Sequence, residues 1–159
     1  MKRISTHSLS LSKMDEKDCK DMWEWRNDPY TRKMSKSPRP ISWETHKKWF
    51  EQTLLNKNSS IFIGRLTNGD KIGMCRFETN VIKKEINVSI NLNKDYRGKK
   101  LSKVLLKTAI RHFKNKKKFC LTATIKKKNI SSIICFSYCG FKYLSEDDYF
   151  FYYKMDCNL

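Results

Sequence analysis

The sequence predicts one α/β domain of about seven strands and about four helices, in the order β-α-α-β-β-β-α-β-α-β-β. Three observations carry that prediction. A strict two-residue alternation runs from Glu85 to Leu92: Ile86, Val88, Ile90 and Leu92 face one way, and Glu85, Asn87, Ser89 and Asn91 the other. An amphipathic helical pattern follows, from Leu101 to Phe113. Asn68-Gly69-Asp70 joins two β-rich runs as a hairpin turn.

Each element has a local reason. His7 to Met14 alternates weakly through Leu9 and Leu11 and reads as a first strand. Asp15-Glu16-Lys17-Asp18 puts acids where the dipole of a first helix favours them. Cys19, Met22, Trp23 and Trp25 give that helix an apolar side, and Asn27-Asp28-Pro29 ends it. Tyr30 to Pro40 lacks a period, carries two prolines and is expected to be an ordered loop or short turn. Ser42 is an N-cap for a second helix through His46, Trp49, Phe50 and Leu54, ending near Leu55. Ser60–Leu66 and Lys71–Glu78 form the hairpin, and Lys83-Lys84 turns the chain into Glu85–Leu92. Leu101, Val104, Leu105, Thr108, Ala109 and His112 share a stripe on the third helix. Phe119–Ile125 is a strand, Asn129 opens a short helix through Tyr138, and Gly140 ends it. Phe141–Leu144 and Tyr149–Met155 close as a hairpin. No internal repeat or linker is visible, so residues 1–159 are expected to be one domain.

Composition bounds the function. A chain of 159 residues buries enough surface for a core, and 39% apolar with 13% aromatic residues argues against disorder. No apolar run reaches the ~18 residues of a membrane span. No apolar stretch follows Met1-Lys2-Arg3, so a secretory signal is not expected. The six cysteines then point to a reducing, cytoplasmic setting with buried thiols. They include no CxxC, and Cys135 and Cys139 have no His nearby. The three histidines are scattered, so neither a metal site nor a Ser-His-Asp centre is expected.

A net charge of +18 fits a phosphate-rich partner such as nucleic acid, a nucleotide or coenzyme A. It equally fits biased lysine usage with solvated faces: 26 of the 34 basic residues are Lys. The densest runs, Lys114–Lys118 and Lys126–Lys128, lack interleaved aromatics, and nucleic acid is not expected as the partner.

The informative stretch is Ile90-Asn91-Leu92-Asn93-Lys94-Asp95-Tyr96-Arg97-Gly98-Lys99-Lys100-Leu101-Ser102-Lys103. A strand turns at Gly98 and a helix starts at once, so unpaired backbone N–H groups face outward as an anion site. Arg97, Lys99, Lys100 and Lys103 add charge suited to a diphosphate. A plain strand-to-helix turn on a basic protein would look the same.

This segment resembles the pyrophosphate loop of the GNAT superfamily of acyl-CoA N-acyltransferases, [Q/R]-x-x-G-x-[G/A], opened here by Arg97. Lys100 and Ser102 stand where the family has small residues. Asn129-x-x-Ser132-x-x-x-Phe136-x-x-x-Gly140-Phe141 resembles a second signature of the same family. The resemblance covers nearly the whole chain. It implies a central mixed, mostly antiparallel sheet and acetyl-CoA as acyl donor. It also implies a cofactor site of Ile90, Asn91, Leu92, Arg97, Gly98, Lys99, Lys100, Leu101, Ser102, Lys103, Asn129, Ser132 and Phe136.

The reaction it implies is direct attack of an amine on the thioester. Glu85, on the polar face of its strand, is the first candidate to accept the amine proton, and Glu78 the second. A tyrosine that would protonate the leaving thiolate is replaced by Phe136, which leaves Tyr138 as the candidate acid.

The N-terminal segments Asp18-Cys19-x-x-x-Trp23-x-Trp25-Arg26-Asn27-Asp28-Pro29-Tyr30-Thr31-Arg32 and Ile41-Ser42-x-Glu44-x-His46-x-x-Trp49-Phe50 resemble GNAT enzymes that acetylate nucleotide-linked amino sugars, such as the UDP-4-amino-sugar enzymes of the pseudaminic acid pathway. Ribosomal-protein N-terminal acetyltransferases share a weaker element of this kind. The implied acceptor is a small-molecule amine, met by Trp25, Arg26, Asn27, Tyr30, His46, Trp49 and Glu78, with Arg26, Arg32, Arg39 and Lys47 placed to meet the UDP diphosphate. Packing of two helices explains Trp49 and Phe50 as well. A GNAT-fold protein that binds RNA without catalysis is the other reading, and a homodimer stays open.

Overall fold

The computed structural model describes residues 9–113, 116 and 118–156. The expected strand start at His7, most of the Lys114–Lys118 run and Cys157 lie outside the described residues.

The elements follow the expected order with one addition. They are β1 (Ser10–Lys13), α1 (Cys19–Asn27), α2 (Pro29–Met34), α3 (Trp43–Leu55), β2 (Ser59–Arg65), β3 (Lys71–Asn80), β4 (Glu85–Leu92), α4 (Leu101–His112), β5 (Cys120–Lys126), α5 (Ile130–Tyr138), β6 (Lys142–Glu146) and β7 (Phe150–Met155). The addition is α2, where a loop was expected. Asp28 caps it by accepting from Thr31 N–H at 3.0 Å, and Pro29 sits at its first position. Both are helix-start signals. The helix has only six residues and buries none of them, so it leaves no periodic trace in the sequence. Five α-helices therefore stand among the described residues where about four were expected.

The strands form one seven-stranded sheet in the order β1-β2-β3-β4-β5-β7-β6. Neighbours are antiparallel except β4 and β5, which run parallel. That pairing is short: it joins Glu85 to Cys120, Ile86 to Leu121 and Asn87 to Thr122, and no further. Both strands continue past it, to Leu92 and Lys126, so they splay apart.

The two faces of β3 and β4 are unlike. Cys75, Phe77, Ile86 and Val88 are fully buried against Leu106 and Ala109 of α4 and Cys135 and Phe136 of α5. The opposite face carries Arg76, Glu78, Asn87, Ser89 and Asn91, with Arg76 opposite Ser89 and Glu78 opposite Asn87. That face meets α1 and α2. Its apolar part is Ile61 and Ile63 of β2 with Met74 of β3, packed against Met22, Trp25 and Phe50. A charged strand face would be expensive to bury under an apolar helix, so the space beside it stays open as a cleft.

On α4 the buried stripe is Leu101, Leu105, Leu106 and Ala109. His112, expected on that stripe, is exposed and lays its ring edge-on against Phe62 at 5.1 Å.

Candidate active site

The cleft begins where β4 leaves β5. One part, about 480 Å³, is lined by Ile90, Asn91 and Leu92 of β4, by Arg97 and Gly98 of the following turn and Ser102 of α4, and by Asn129, the cap of α5, with Ser132 and Cys135 of that helix. Tyr30, Thr31 and Met34 of α2 form its roof. A second part, about 420 Å³, shares Thr31, Ile90, Asn91 and Asn129 with the first and runs on to Arg26, Arg76, Glu78, Asn87 and Ser89. The first lies against the loop and the second against the polar sheet face.

Local sequence explains the walls. Gly73 pairs with Leu92 in register and has φ +151. A side chain there would run into the Asn91 carbonyl, so only glycine lets the end of β4 sit where it does. Asn129 caps α5, its Oδ1 accepting from Ser132 N–H at 3.2 Å. Phe136, the other expected member from this helix, is buried edge-on against Phe141 and reaches the second part of the cleft.

Helix α4 starts without a side-chain cap. Asp28, Ser42 and Asn129 cap α2, α3 and α5 with side-chain oxygens, but just as Asp18 offers α1 none, Lys100 offers α4 none. Its first N–H groups therefore keep their donors for something else. Lys100 itself sits at φ +61, the left-handed region where glycine is at ease. Its side chain is exposed.

The expected cations of this loop are partly committed. Arg97 Nη1 pairs with Asp28 at 2.8 Å, and its Nη2 donates to Thr31 Oγ1 at 2.8 Å and to Leu92 O at 3.3 Å. The guanidinium also lies over the Tyr30 ring at 5.2 Å. Burial by itself would raise the Asp28 carboxyl, but the Thr31 N–H and Arg97 outweigh it and hold it below the usual carboxylate range. Arg97 thus fastens the loop to α2. Lys99 donates to Asp95 O at 2.7 Å, and Lys103 stands over the Tyr138 ring at 4.4 Å.

The remaining expected residues divide. Arg26, Tyr30 and Glu78 reach the cleft. Trp25 and His46 do not: both are buried beneath α1 and α3. The His46 ring makes a 2.9 Å hydrogen bond through Nε2 with Cys19 O, and burial lowers its basicity. Trp49 packs on the same cluster, so this aromatic spacing is that of a helix core. Asn27 is also structural. Its Oδ1 accepts from Ile41 N–H at 2.8 Å and its Nδ2 donates to Ile41 O at 2.9 Å, pinning the segment ahead of α3.

Glu85 lies at the paired start of β4, opposite Asn80, and outside both parts of the cleft. Two-residue alternation puts it on the correct face but not at the correct height along the strand. Tyr138 is exposed at the end of α5, beneath Lys103 and Lys107, and also outside the cleft. Sequence reasoning missed Thr31, Met34, Asn87 and Arg76. Arg76 had a signal: it is charged, between the apolar Cys75 and Phe77, two residues from Glu78.

Among the described residues no helix is long and apolar enough to cross a membrane, and no cluster of three His, Cys, Asp or Glu side chains is placed for a metal ion.

Known proteins align with this architecture. The family profile described as an acetyltransferase (GNAT) domain matches residues 8–142. A search of curated protein sequences finds no match. Solved structures share the fold at low identity. A putative phosphinothricin N-acetyltransferase superposes with TM-score 0.80 at 22% identity, covering 96% of this chain and 100% of its own. Spermidine N-acetyltransferase from Vibrio cholerae, in complex with CoA and spermine, superposes with TM-score 0.80 at 14% identity, covering 93% and 94%. A dodecameric form of the Vibrio cholerae enzyme gives TM-score 0.77 at 16% identity, covering 95% of each chain.

Proposed function

Because the chain belongs to the GNAT acetyltransferase family, we propose that it moves an acetyl group from acetyl-CoA directly to the primary amine of a nucleotide-linked amino sugar. The observation that carries this reading is the early end of the β4–β5 pairing at Asn87 and Thr122, with a cleft opening beyond it toward a charged sheet face.

The residues fit the donor. Splayed β4 leaves backbone groups at Ile90–Leu92 to bond an extended amide chain as an added strand would. Asn129 and Ser132 stand across from them. The uncapped start of α4 suits a diphosphate, with the exposed Lys100 beside it. Acetyl-CoA supplies the activated thioester carbonyl.

The chain's own groups then do three things. Backbone N–H groups at the end of β4 polarise the carbonyl as charge develops on its oxygen. Glu78, in the second part of the cleft, takes the proton from the attacking amine through water. Tyr30, Thr31 and Met34 roof the cleft and limit water there. As the C–N bond forms, the C–S bond breaks, and the thiolate leaves to be protonated by solvent. Glu78 replaces Glu85 in this role because of its height along the sheet.

The test has two stages. Acetyl-CoA at a hundredfold excess over Kd should raise stability by about 2.7 kcal/mol, seen as a Tm increase of several degrees. Thiol release on adding UDP-amino sugars should then fall about 10²–10⁴-fold in Glu78→Gln. No Tm change at millimolar acetyl-CoA would overturn the transfer reading, and release with peptides but not with UDP-amino sugars would overturn the acceptor.

A further inference from the structure

The second part of the cleft holds an imbalance that acetyl transfer itself does not require. Arg26 and Arg76 line it with Lys36 and Lys126, and among the described residues lining it Glu78 is the one carboxylate. Arg32 stands beside Arg26. These side chains are held mainly by neutral groups. Arg26 Nη2 donates to Ser37 O at 2.8 Å, Arg32 Nε to Asn27 O at 3.1 Å and Arg32 Nη1 to Pro38 O at 3.4 Å. Arg76 Nε donates to Ser89 Oγ at 3.3 Å, its Nη2 reaches Glu78 at 3.4 Å, and its guanidinium lies over Trp49 at 5.8 Å. Arg26 Nη1 is buried and, among the described residues, has no hydrogen-bond partner.

Burial, then the charges of Arg32 and Arg76, push the Arg26 guanidinium below its ordinary basicity. A buried donor without an acceptor, among like charges, is costly. Residues this constrained would drift toward solvent or acquire a carboxylate unless another anion completes them. A planar guanidinium prefers two oxygens of one oxyanion. Converging guanidinium and ammonium groups exceed the single charge of one carboxylate.

Resting on the acetyl-transfer reading, we infer that Arg26 and Arg76 form a receptor for a phosphate or diphosphate group on the acceptor, so that the enzyme selects anionic acceptors and rejects polycations. The anion docks by Arg26 while the amine points toward Glu78. Polyamines, the substrates named for the Vibrio cholerae neighbours, would meet repulsion here.

The experiment is calorimetric titration of the full chain with inorganic pyrophosphate at fixed physiological ionic strength. The protein is first saturated with CoA, which keeps the probe off the α4 loop. One pyrophosphate per chain is expected. Arg26→Met and Arg76→Met should each weaken it at least tenfold, and Arg26→Lys by less. Lys142→Met, at the exposed edge strand β6, should leave it unchanged. Glutamate and spermine serve as the carboxylate and polycation arms, and both should bind more weakly than pyrophosphate. Equal weakening by all three Met variants would mean diffuse attraction to a basic surface and would overturn the receptor. Tighter binding of glutamate would overturn the phosphate assignment, and spermine binding the selectivity. Circular dichroism confirms that each variant is folded. If CoA fails to bind while pyrophosphate still responds to Arg26 and Arg76, the transfer reading fails and the receptor stands.

Discussion

The two ends of α1 handle buried charge in opposite ways. At its start, Asp18 is fully buried and pairs with Lys71 at 2.7 Å and Arg65 at 3.2 Å, while also accepting from Asp15 N–H at 2.9 Å. Asp21 adds a second carboxylate to Lys71 at 2.6 Å. Two anions meet two cations, and every group has work inside the fold. At the other end Arg26 sits among Arg32 and Arg76 with an unpartnered Nη1. The first cluster is finished by the chain itself and ties α1 to β2 and β3. The second is left incomplete, and it faces a cleft. Closed polar networks belong to structure, and open ones mark places where a ligand supplies the missing group.

The largest effect that would break this comparison is at Asp18. Asp18→Asn puts a neutral amide in a fully buried position beside Arg65, with Lys71 still held by Asp21, and should cost about 3 kcal/mol. For a chain of this length that is a Tm drop of roughly 10 °C in thermal unfolding. A loss below about 1 kcal/mol would mean the buried cluster is no more structural than its counterpart.

Next in size is Arg26→Met without ligand. Removing a cation that lacks an anion should leave stability unchanged or raise it by up to about 1 kcal/mol. Chemical denaturation measures this directly. A loss of 2 kcal/mol or more would show that Arg26 holds the fold through Ser37 and would dissolve the contrast.

The smallest effect is a pH dependence. Burial alone would lower the Lys71 ammonium, but the hydrogen bonds and charges of Asp18 and Asp21 outweigh it and raise it above 10.5. A raised folded value means the stabilisation is fully present below 10.5 and is lost as pH rises through the folded value. Wild type should therefore lose stability relative to Lys71→Met above that pH, and the difference should be flat below it. A difference that grows toward acid would contradict the assigned pairing.

Reading the sequence located the sheet because alternation is a local property. Glu85 to Leu92 and the helix from Leu101 needed only their own residues to declare themselves, as did the Asn129 cap. The loop from Arg97 to Lys103 was legible for the same reason. Its wiring was not. Arg97 reads as a phosphate ligand until Asp28 and Thr31, more than sixty residues earlier, are brought against it. Trp25, His46 and Trp49 read as acceptor contacts because aromatic spacing on a helix does not say whether its face is core or cleft. Glu85 and Glu78 share a face, and only the height at which β5 departs separates them.

By itself the sequence determined the strands and the longer helices (though not the six-residue α2), where the strand-to-helix turn lies, and that the chain resembles acyl-CoA-dependent transferases, because these depend on neighbours in the chain. The tertiary structure alone decided which charges are paired. Asp18 finds Arg65 across 47 positions, while among the described residues Arg26 Nη1 finds no hydrogen-bond partner. Pairing is a matter of distance in space, and that distance is set only when the sheet brings remote strands together.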